Sequence, residues 1–297
     1  MREEAVEMVR VPRSLAIDIF PVNWWSRLLT HVILVVGALL MIYPALWMLS
    51  ASFKPSDEIF TDPGLWPHTF TLENYVNGWN ALDTSFGTFF LNSFIVCVLV
   101  VIGNVLSCSL AAYAFARLQF TLRRIMFAIM LATIMLPGSI LIVPQYILFK
   151  NLGWLNTFLP LTVPKFLGTD AFFIFLLVQF IRTVPTELDD SARIDGCGPF
   201  QLYWRIIMPL ALPALATTAI FSFLTTWGDF FGQLIYLNDQ SVYTVAVALR
   251  TFVDSTGTSD YGAVFAMGVL SLIPILAIFL IFQRLLIEGI ATTGLKG

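Results

Sequence analysis

Three groups of residues in this chain have types and spacings suited to work other than packing. The first is the stretch 182–205, RTVPTELDDSARIDGCGPFQLYWR, lying between two apolar runs. Thr186 is placed to cap a helix with Asp189 answering as a capping box, and Pro185 suits the turn into it. Glu187, Asp189 and Asp190 would sit on the positive end of that helix's dipole. Asp195-Gly196 stops the helix, Gly198-Pro199 restarts a second one, and Pro209 and Pro213 punctuate the entrance to the next apolar run. A short capped helix of this kind either forms a rigid knob that passes force from a cytosolic partner, or rests as an amphipathic loop on a membrane surface.

The second group is Trp227, Asp229 and Gln233 in TTWGDFFGQ. An indole face with a carboxylate beside it can stack on a polyhydroxylated ligand and accept its hydroxyls. The same pair is equally an interfacial Trp with an Asp reaching exterior water. Asn92, at the start of another apolar run, is either a helix–helix hydrogen-bonding residue or part of the same pathway. The third group is Lys165 and Asp170. Five positions apart, they do not share a helical face, so each is expected to pair with another helix.

Other chemistries are absent. No G-x-x-x-x-G-K-[ST] phosphate cradle occurs, so the chain has no ATP site of its own. His31 and His68 are isolated, and a lone His in an apolar run reads as hydrogen-bonded structure, so no metal is expected. Cys97 and Cys108 fall about three turns apart on one helix, roughly 16 Å, too far to bridge. A net charge of −3 without a basic block excludes nucleic acid.

The elements that position these residues are set by composition. Over the 297 residues, 58% are apolar, 12% are charged, and the mean hydropathy is +0.84, with 27 Phe. One soluble core of this size cannot hide that much apolar surface, so the solvent is lipid. A bilayer core about 30 Å thick takes roughly 20 apolar helical residues. Six stretches qualify, at residues 28–49, 89–114, 125–149, 158–181, 206–231 and 262–287. The expected fold is therefore all-α and polytopic, with six transmembrane helices.

Arginine and lysine set the orientation. Arg2, Arg10, Arg13, Arg27, Arg117, Arg123, Arg124, Arg182, Arg193, Arg205, Arg284 and Lys296 gather on one alternating side, against Lys54, Lys150 and Arg250 on the other. Both termini are thus expected in the cytoplasm. The first run is too long for a cleaved signal and is expected to stay as an anchor. Residues 1–27 form a cytoplasmic segment, 28–287 the six-span domain, 51–88 an exterior loop with amphipathic pieces, and 288–297 a cytoplasmic tail. Pro137-Gly138, Pro144, Pro160 and Pro164 would each kink or unwind a helix.

The run Asp190-Ser191-Ala192-Arg193-Ile194-Asp195-Gly196-Cys197, with Arg205, Pro209 and Pro213 after it, resembles the EAA loop of binding-protein-dependent ABC importer permeases. Ser52-Phe53-Lys54-Pro55, Thr71-Leu72-Glu73-Asn74-Tyr75, Asn92-Ser93, and Glu288-Gly289-Ile290 with Gly294-Leu295-Lys296-Gly297 are similar to the carbohydrate-type subfamily, in its smaller six-span subunit. The resemblance implies a coupling helix formed by Glu187, Asp190, Ser191, Ala192, Asp195 and Gly196, seated in a cytosolic ATPase. Asp190 is one methylene shorter than the family's Glu, and Ser191 stands for an Ala. Gly228 and Gln233 replace the family's Asn and Pro at the pathway motif.

The partners implied are a second permease subunit forming a heterodimer, two cytosolic ATPase subunits that bind ATP and magnesium, and an extracytoplasmic sugar-binding protein. This chain itself would bind no cofactor and catalyse no reaction. It would pass a di- or oligosaccharide or related polyol into the cytoplasm by alternating access, in the plasma or inner membrane. The tail after Arg284 would extend to the ATPase pair, its glycines suiting an extended insertion. The competing reading is an ion-gradient-driven secondary transporter, which needs ionisable residues buried mid-span on several helices.

Overall fold

The computed structural model of the chain describes residues 24–254 and 260–294, with side chains through 253 and from 260 to 283. Its regular secondary structure is helical throughout the described residues, and its contacts group into two units, Met1–Met48 and Leu49–Gly297. Most of α1 (Trp24–Ala51) makes up the described part of the first. No charged residue lies between Arg27 and Lys54. His31 is bonded through Nδ1 to the Arg27 carbonyl at 2.6 Å, within its own helix. Residues 1–23 of the expected cytoplasmic segment lie outside the described residues.

In the second unit, α2 (Glu73–Asn80) precedes α3 (Phe86–Arg117). Helix α3 is the axle of the unit, packing against the helices Ala171–Thr183, Leu212–Trp227 and Val245–Asp254 and the 163–167 turn. Its upper part sits in a core with Phe223, Trp227, Phe252 and Met267, and its lower part in a core with Leu177, Ile181, Tyr203 and Ile207. Close approach has a residue-level cause. An ideal Cβ on Gly103 would lie 3.0 Å from Phe166 Cδ2 and 3.1 Å from the Lys165 backbone carbon.

Helices α4 (Arg123–Ile134) and α5 (Gly138–Asn151) meet at a bend of 100°. Pro137 lacks an N–H and drives Leu136 off the helical region, so the expected break occurs there. Pro144, by contrast, is carried inside α5 without a break. The short α6 (Leu159–Thr162) runs through a 3₁₀ turn, Val163–Leu167, to Gly168 at φ +67, and α7 (Ala171–Thr183) comes next. The polar loop holds α8 (Glu187–Ile194) and α9 (Pro199–Leu202), then a π-helical turn Tyr203–Ile207 and α10 (Met208–Leu210). A 77° bend leads into α11 (Leu212–Trp227), where Pro209 and Pro213 were expected to punctuate the chain. Then come α12 (Phe231–Tyr236), α13 (Val245–Asp254) and α14 (Tyr261–Gly294).

Among the described residues, four helical segments are long and apolar enough to cross a membrane: Trp24–Ala51, Phe86–Arg117, Leu159–Thr183 and Tyr261–Gln283. The number rises to six if each bent pair is one crossing. The backbone of α14 stays helical to Gly294, which corrects the expected extended tail as far as that residue. Leu285, Leu286 and Ala291 favour helix enough to carry it past Gly289. Residues 295–297 lie outside the described residues.

The 51–88 segment is folded. Lys54 is 1% exposed and donates through Nζ to the Asp62 and Gly64 carbonyls at 2.6 Å each, with Asp62 Oδ2 at 3.4 Å. Asn74 donates through Nδ2 to the Ser52 and Lys54 carbonyls, and Ser52 Oγ and Tyr75 OH are bonded at 2.8 Å. The two motifs SFKP and TLENY, far apart in sequence, therefore lock onto each other.

Candidate functional site

Two places bring the candidate side chains together. One is a cavity of about 520 Å³ walled by α3, α5, the 160–170 segment and the junction of α11 with α12. The helix stops at Trp227, with Gly228 as its C-cap, and restarts at Phe231. Asp229 lies in this gap. Its Oδ1 accepts the Gly232 N–H at 3.0 Å, so the carboxylate caps the start of α12 and lines the cavity.

Lys165 and Asp170 line the same cavity and are paired to each other, at 2.9 Å and 3.0 Å to the two carboxylate oxygens. This corrects the expectation of partners on other helices. That expectation assumed one continuous helix, whereas the 3₁₀ turn and the left-handed Gly168 fold the chain back between the two residues. Opposite them, Gln145 is 3.4 Å from Tyr236 OH.

The structure separates the other pathway candidates from open space. Gln233 is 2% exposed. Its Nε2 donates to the Thr226 carbonyl at 2.7 Å and its Oε1 accepts from Thr244 Oγ1, so it ties α11, α12 and α13 together at the cavity wall. Trp227 is turned away from the cavity into a cluster with Phe90, Phe94 and Phe223, and its Nε1 donates to the Ser271 carbonyl at 3.1 Å. Its faces are covered by protein, which corrects the stacking geometry expected of it. Asn92 donates to the Ser241 and Tyr243 carbonyls, and Ser93 Oγ accepts the Val245 N–H, so this pair pins the 240–245 segment onto α3.

The second place is the polar loop. Glu187–Ile194 is a two-turn helix, and Gly196 lies just beyond it at φ +83. No Cβ contact lies within 4 Å of Gly196, so only the backbone angle demands glycine there. Thr186 makes no side-chain cap, which corrects the expected capping box. The reason is that Asp189 is engaged elsewhere: 4% exposed, it places Oδ2 at 3.3 Å from Arg117 Nε at the end of α3. Burial pushes the Asp189 carboxyl above its usual pKa, and Arg117 only partly offsets this. Glu187, Asp190, Ser191, Asp195 and Gly196 are exposed, whereas Ala192 is buried in the lower core. Asp190 makes only an exposed i,i+3 contact of 3.4 Å with Arg193.

Sequence reasoning missed Ile194, which is 87% exposed at the end of this short helix. An apolar residue closing a helix made mostly of polar residues was the available signal. It also missed Arg117, whose position at the end of an apolar run reads as an ordinary topological charge. Among the described residues no group of three His, Cys, Asp or Glu can hold a metal ion.

The chain has counterparts among known proteins. Residues 103–292 match the family model described as binding-protein-dependent transport system inner membrane component. The chain is 34% identical, over 86% of its length and 84% of the relative's, to the diacetylchitobiose uptake system permease protein of Streptomyces coelicolor. It is 32% identical, over 92% and 99%, to the trehalose/maltose transport system permease protein of Thermococcus litoralis. The fold superimposes, with a TM-score of 0.80 and 22% identity, on a chain of a bacterial ABC transporter involved in import of the acidic polysaccharide alginate, covering 89% of this chain and 98% of that one.

Proposed function

The chain belongs to the family of binding-protein-dependent transport system inner membrane components, multi-pass plasma-membrane proteins of ABC importers, and we propose that it forms half of an ATP-driven sugar path. In this reading each bent helix pair is one crossing, giving six spans with both termini cytoplasmic. A second, different permease chain completes the path. Two cytosolic ATPase subunits bind and hydrolyse magnesium ATP, and an extracytoplasmic binding protein delivers a di- or oligosaccharide or related polyol. Diacetylchitobiose and trehalose or maltose in the names of relatives support that substrate class.

The observation that carries the reading is the two-turn helix Glu187–Ile194. It presents Asp190, Arg193 and Ile194 outward while Asp189 and Ala192 anchor it inward. A rigid, half-anchored knob between two apolar segments is suited to seat in a moving partner. ATP-driven closure of the ATPases would push it and swing the spans from inward-facing to outward-facing. Within the bundle, the cavity holding Asp229 and the Lys165–Asp170 pair offers polar groups to a hydroxylated solute.

The test is co-purification of the ATPase and ATP-dependent uptake in proteoliposomes, with Gly196→Val as the perturbation. A β-branched residue in the left-handed region costs about 1–2 kcal/mol of backbone energy, so the knob should misfold locally and release the ATPase. The cavity's ionisable trio gives the ion-gradient reading its one foothold. Uptake that persists without any ATPase and collapses with a protonophore would establish that reading instead.

A further inference from the structure

The polar loop, with the knob at its start, joins α7 to α11 along the chain, and its buried polar side-chain contacts run to α3. Ser109, Tyr113 and Arg117 stand at i, i+4 and i+8 on α3, so they share one face. Ser109 Oγ and Tyr203 OH share a hydrogen bond of 2.7 Å. Tyr113 OH donates to the Pro199 carbonyl at 2.9 Å, and the rings of Tyr113 and Tyr203 lie 5.4 Å apart. Arg117 Nη2 donates to the Ile181 and Val184 carbonyls, at 3.1 Å and 2.6 Å, while its Nε faces Asp189. All five side chains of this ladder, on both sides, are at least nine-tenths buried.

We propose that this polar ladder makes α3 and the polar loop one rigid body, so that Ser109, Tyr113 and Arg117 are the positioning residues that carry displacement of the coupling helix into the axle of the bundle. The proposal rests on the importer reading and adds the route that force takes. The geometry favours it over transmission along the chain alone. The connection to α7 passes through the extended residue Val184, whose carbonyl is itself held by Arg117, and the connection toward α11 leaves the π turn through a 77° bend, so neither is a continuous helix. The three α3 residues stand on one that is. An isolated buried ion pair would be weak evidence for stability. Here its distinguishing property is that the guanidinium also fixes the last carbonyls of α7, so three elements meet at one group.

The experiment uses the assembled complex in nanodiscs. Spin labels go on this chain at Leu110→Cys, on an exposed position of α3, and Ser191→Cys, on an exposed position of the knob, with Cys197→Ala; Cys97 and Cys108 are buried. The interlabel distance is measured without nucleotide and with ATP trapped in a hydrolysis-deficient ATPase. The ladder predicts one narrow distance, equal within about 2 Å in both states, that broadens in Tyr113→Phe and in Arg117→Gln. In proteoliposomes the same variants keep ATP hydrolysis within twofold while sugar moved per ATP falls, about threefold for Tyr113→Phe and at least tenfold for Arg117→Gln. Arg117→Lys, retaining the charge but not the fork, falls between.

Should Arg117→Gln fail to assemble, Tyr113→Phe, which removes one oxygen, decides the matter alone. A distance that changes by more than about 5 Å on trapping ATP in the unaltered complex overturns the proposal, as does a transport-to-hydrolysis ratio unmoved in Tyr113→Phe. Absence of ATP-driven uptake in the unaltered complex would instead reject the importer reading, and the nucleotide-free distance widths would still decide whether the ladder is rigid.

Discussion

Replacing Gly232 with Ala tests how the cavity holds its carboxylate. An ideal Cβ at Gly232 overlaps Asp229 Oδ2 and stands 3.1 Å from Asp229 Cγ. The obstacle is the end of a short, rotatable side chain, so the carboxylate should swing away while α12 persists. Swinging forfeits the Gly232 N–H to Asp229 Oδ1 bond, a charge-assisted bond contributing about 1.5–3 kcal/mol. Ala recovers about 1 kcal/mol over Gly in a helix. The difference, roughly 0.5–2 kcal/mol, is the net stability lost at the junction of α11 with α12, equivalent to about a 2- to 30-fold change in an equilibrium constant.

The assay is the concentration dependence of ATP-driven uptake by the reconstituted complex. KM should rise within that range while the maximal rate changes little. Asp229→Ala removes the group the methyl strikes, so adding Gly232→Ala in that background should cost nothing more, and the coupling energy should equal the whole single effect. Additive losses from the two substitutions would refute the argument that the methyl acts through Asp229.

Three other substitutions have outcomes set by the same structure. Asp170→Asn uncovers the Lys165 ammonium in the cavity, and uptake should become inhibitable by sugar phosphates that leave the unaltered complex unaffected, as read by competition with a labelled neutral disaccharide. Lys54→Met leaves two buried carbonyls and part of a carboxylate without their cation, at a cost of about 3–5 kcal/mol, seen as lower thermal stability and faster proteolysis between residues 55 and 70. Asp189 holds its proton more tightly folded than unfolded, so the folded state binds more protons as pH climbs from the ordinary 3.8 toward the raised value. Its contribution to stability should therefore fall as pH rises through that window and level off above it, and Asp189→Asn should remove that slope in unfolding titrations.

Much of the fold was legible from residue order alone. Uninterrupted apolar runs gave the long helices, Pro137 and Pro209 marked the bends, and Gly196 with Pro199 marked the turn between α8 and α9, because each of these is a local property of the backbone. The features that were not legible depend on distant neighbours. Thr186 carries a capping signature, but Arg117 takes the Asp189 that the box required. Lys165 and Asp170 fail a helical spacing rule that ceases to apply once Gly168 breaks the helix. Trp227 and Asn92 have the side chains of ligand-binding residues, and only the packing of α3 against α11 and the 240–245 segment assigns them to the core. The SFKP and TLENY motifs could be seen, but not that Asn74 and Tyr75 fasten one to the other.

The central claim, that the exposed face of α8 receives motion from an ATP-hydrolysing partner, is tested most directly by a photo-reactive p-benzoylphenylalanine at Ile194 in the intact complex. The account predicts an adduct to the ATPase subunit in both nucleotide-free and ATP-trapped states, with a shifted site of attachment between them. Adducts to lipid alone in every state would contradict it.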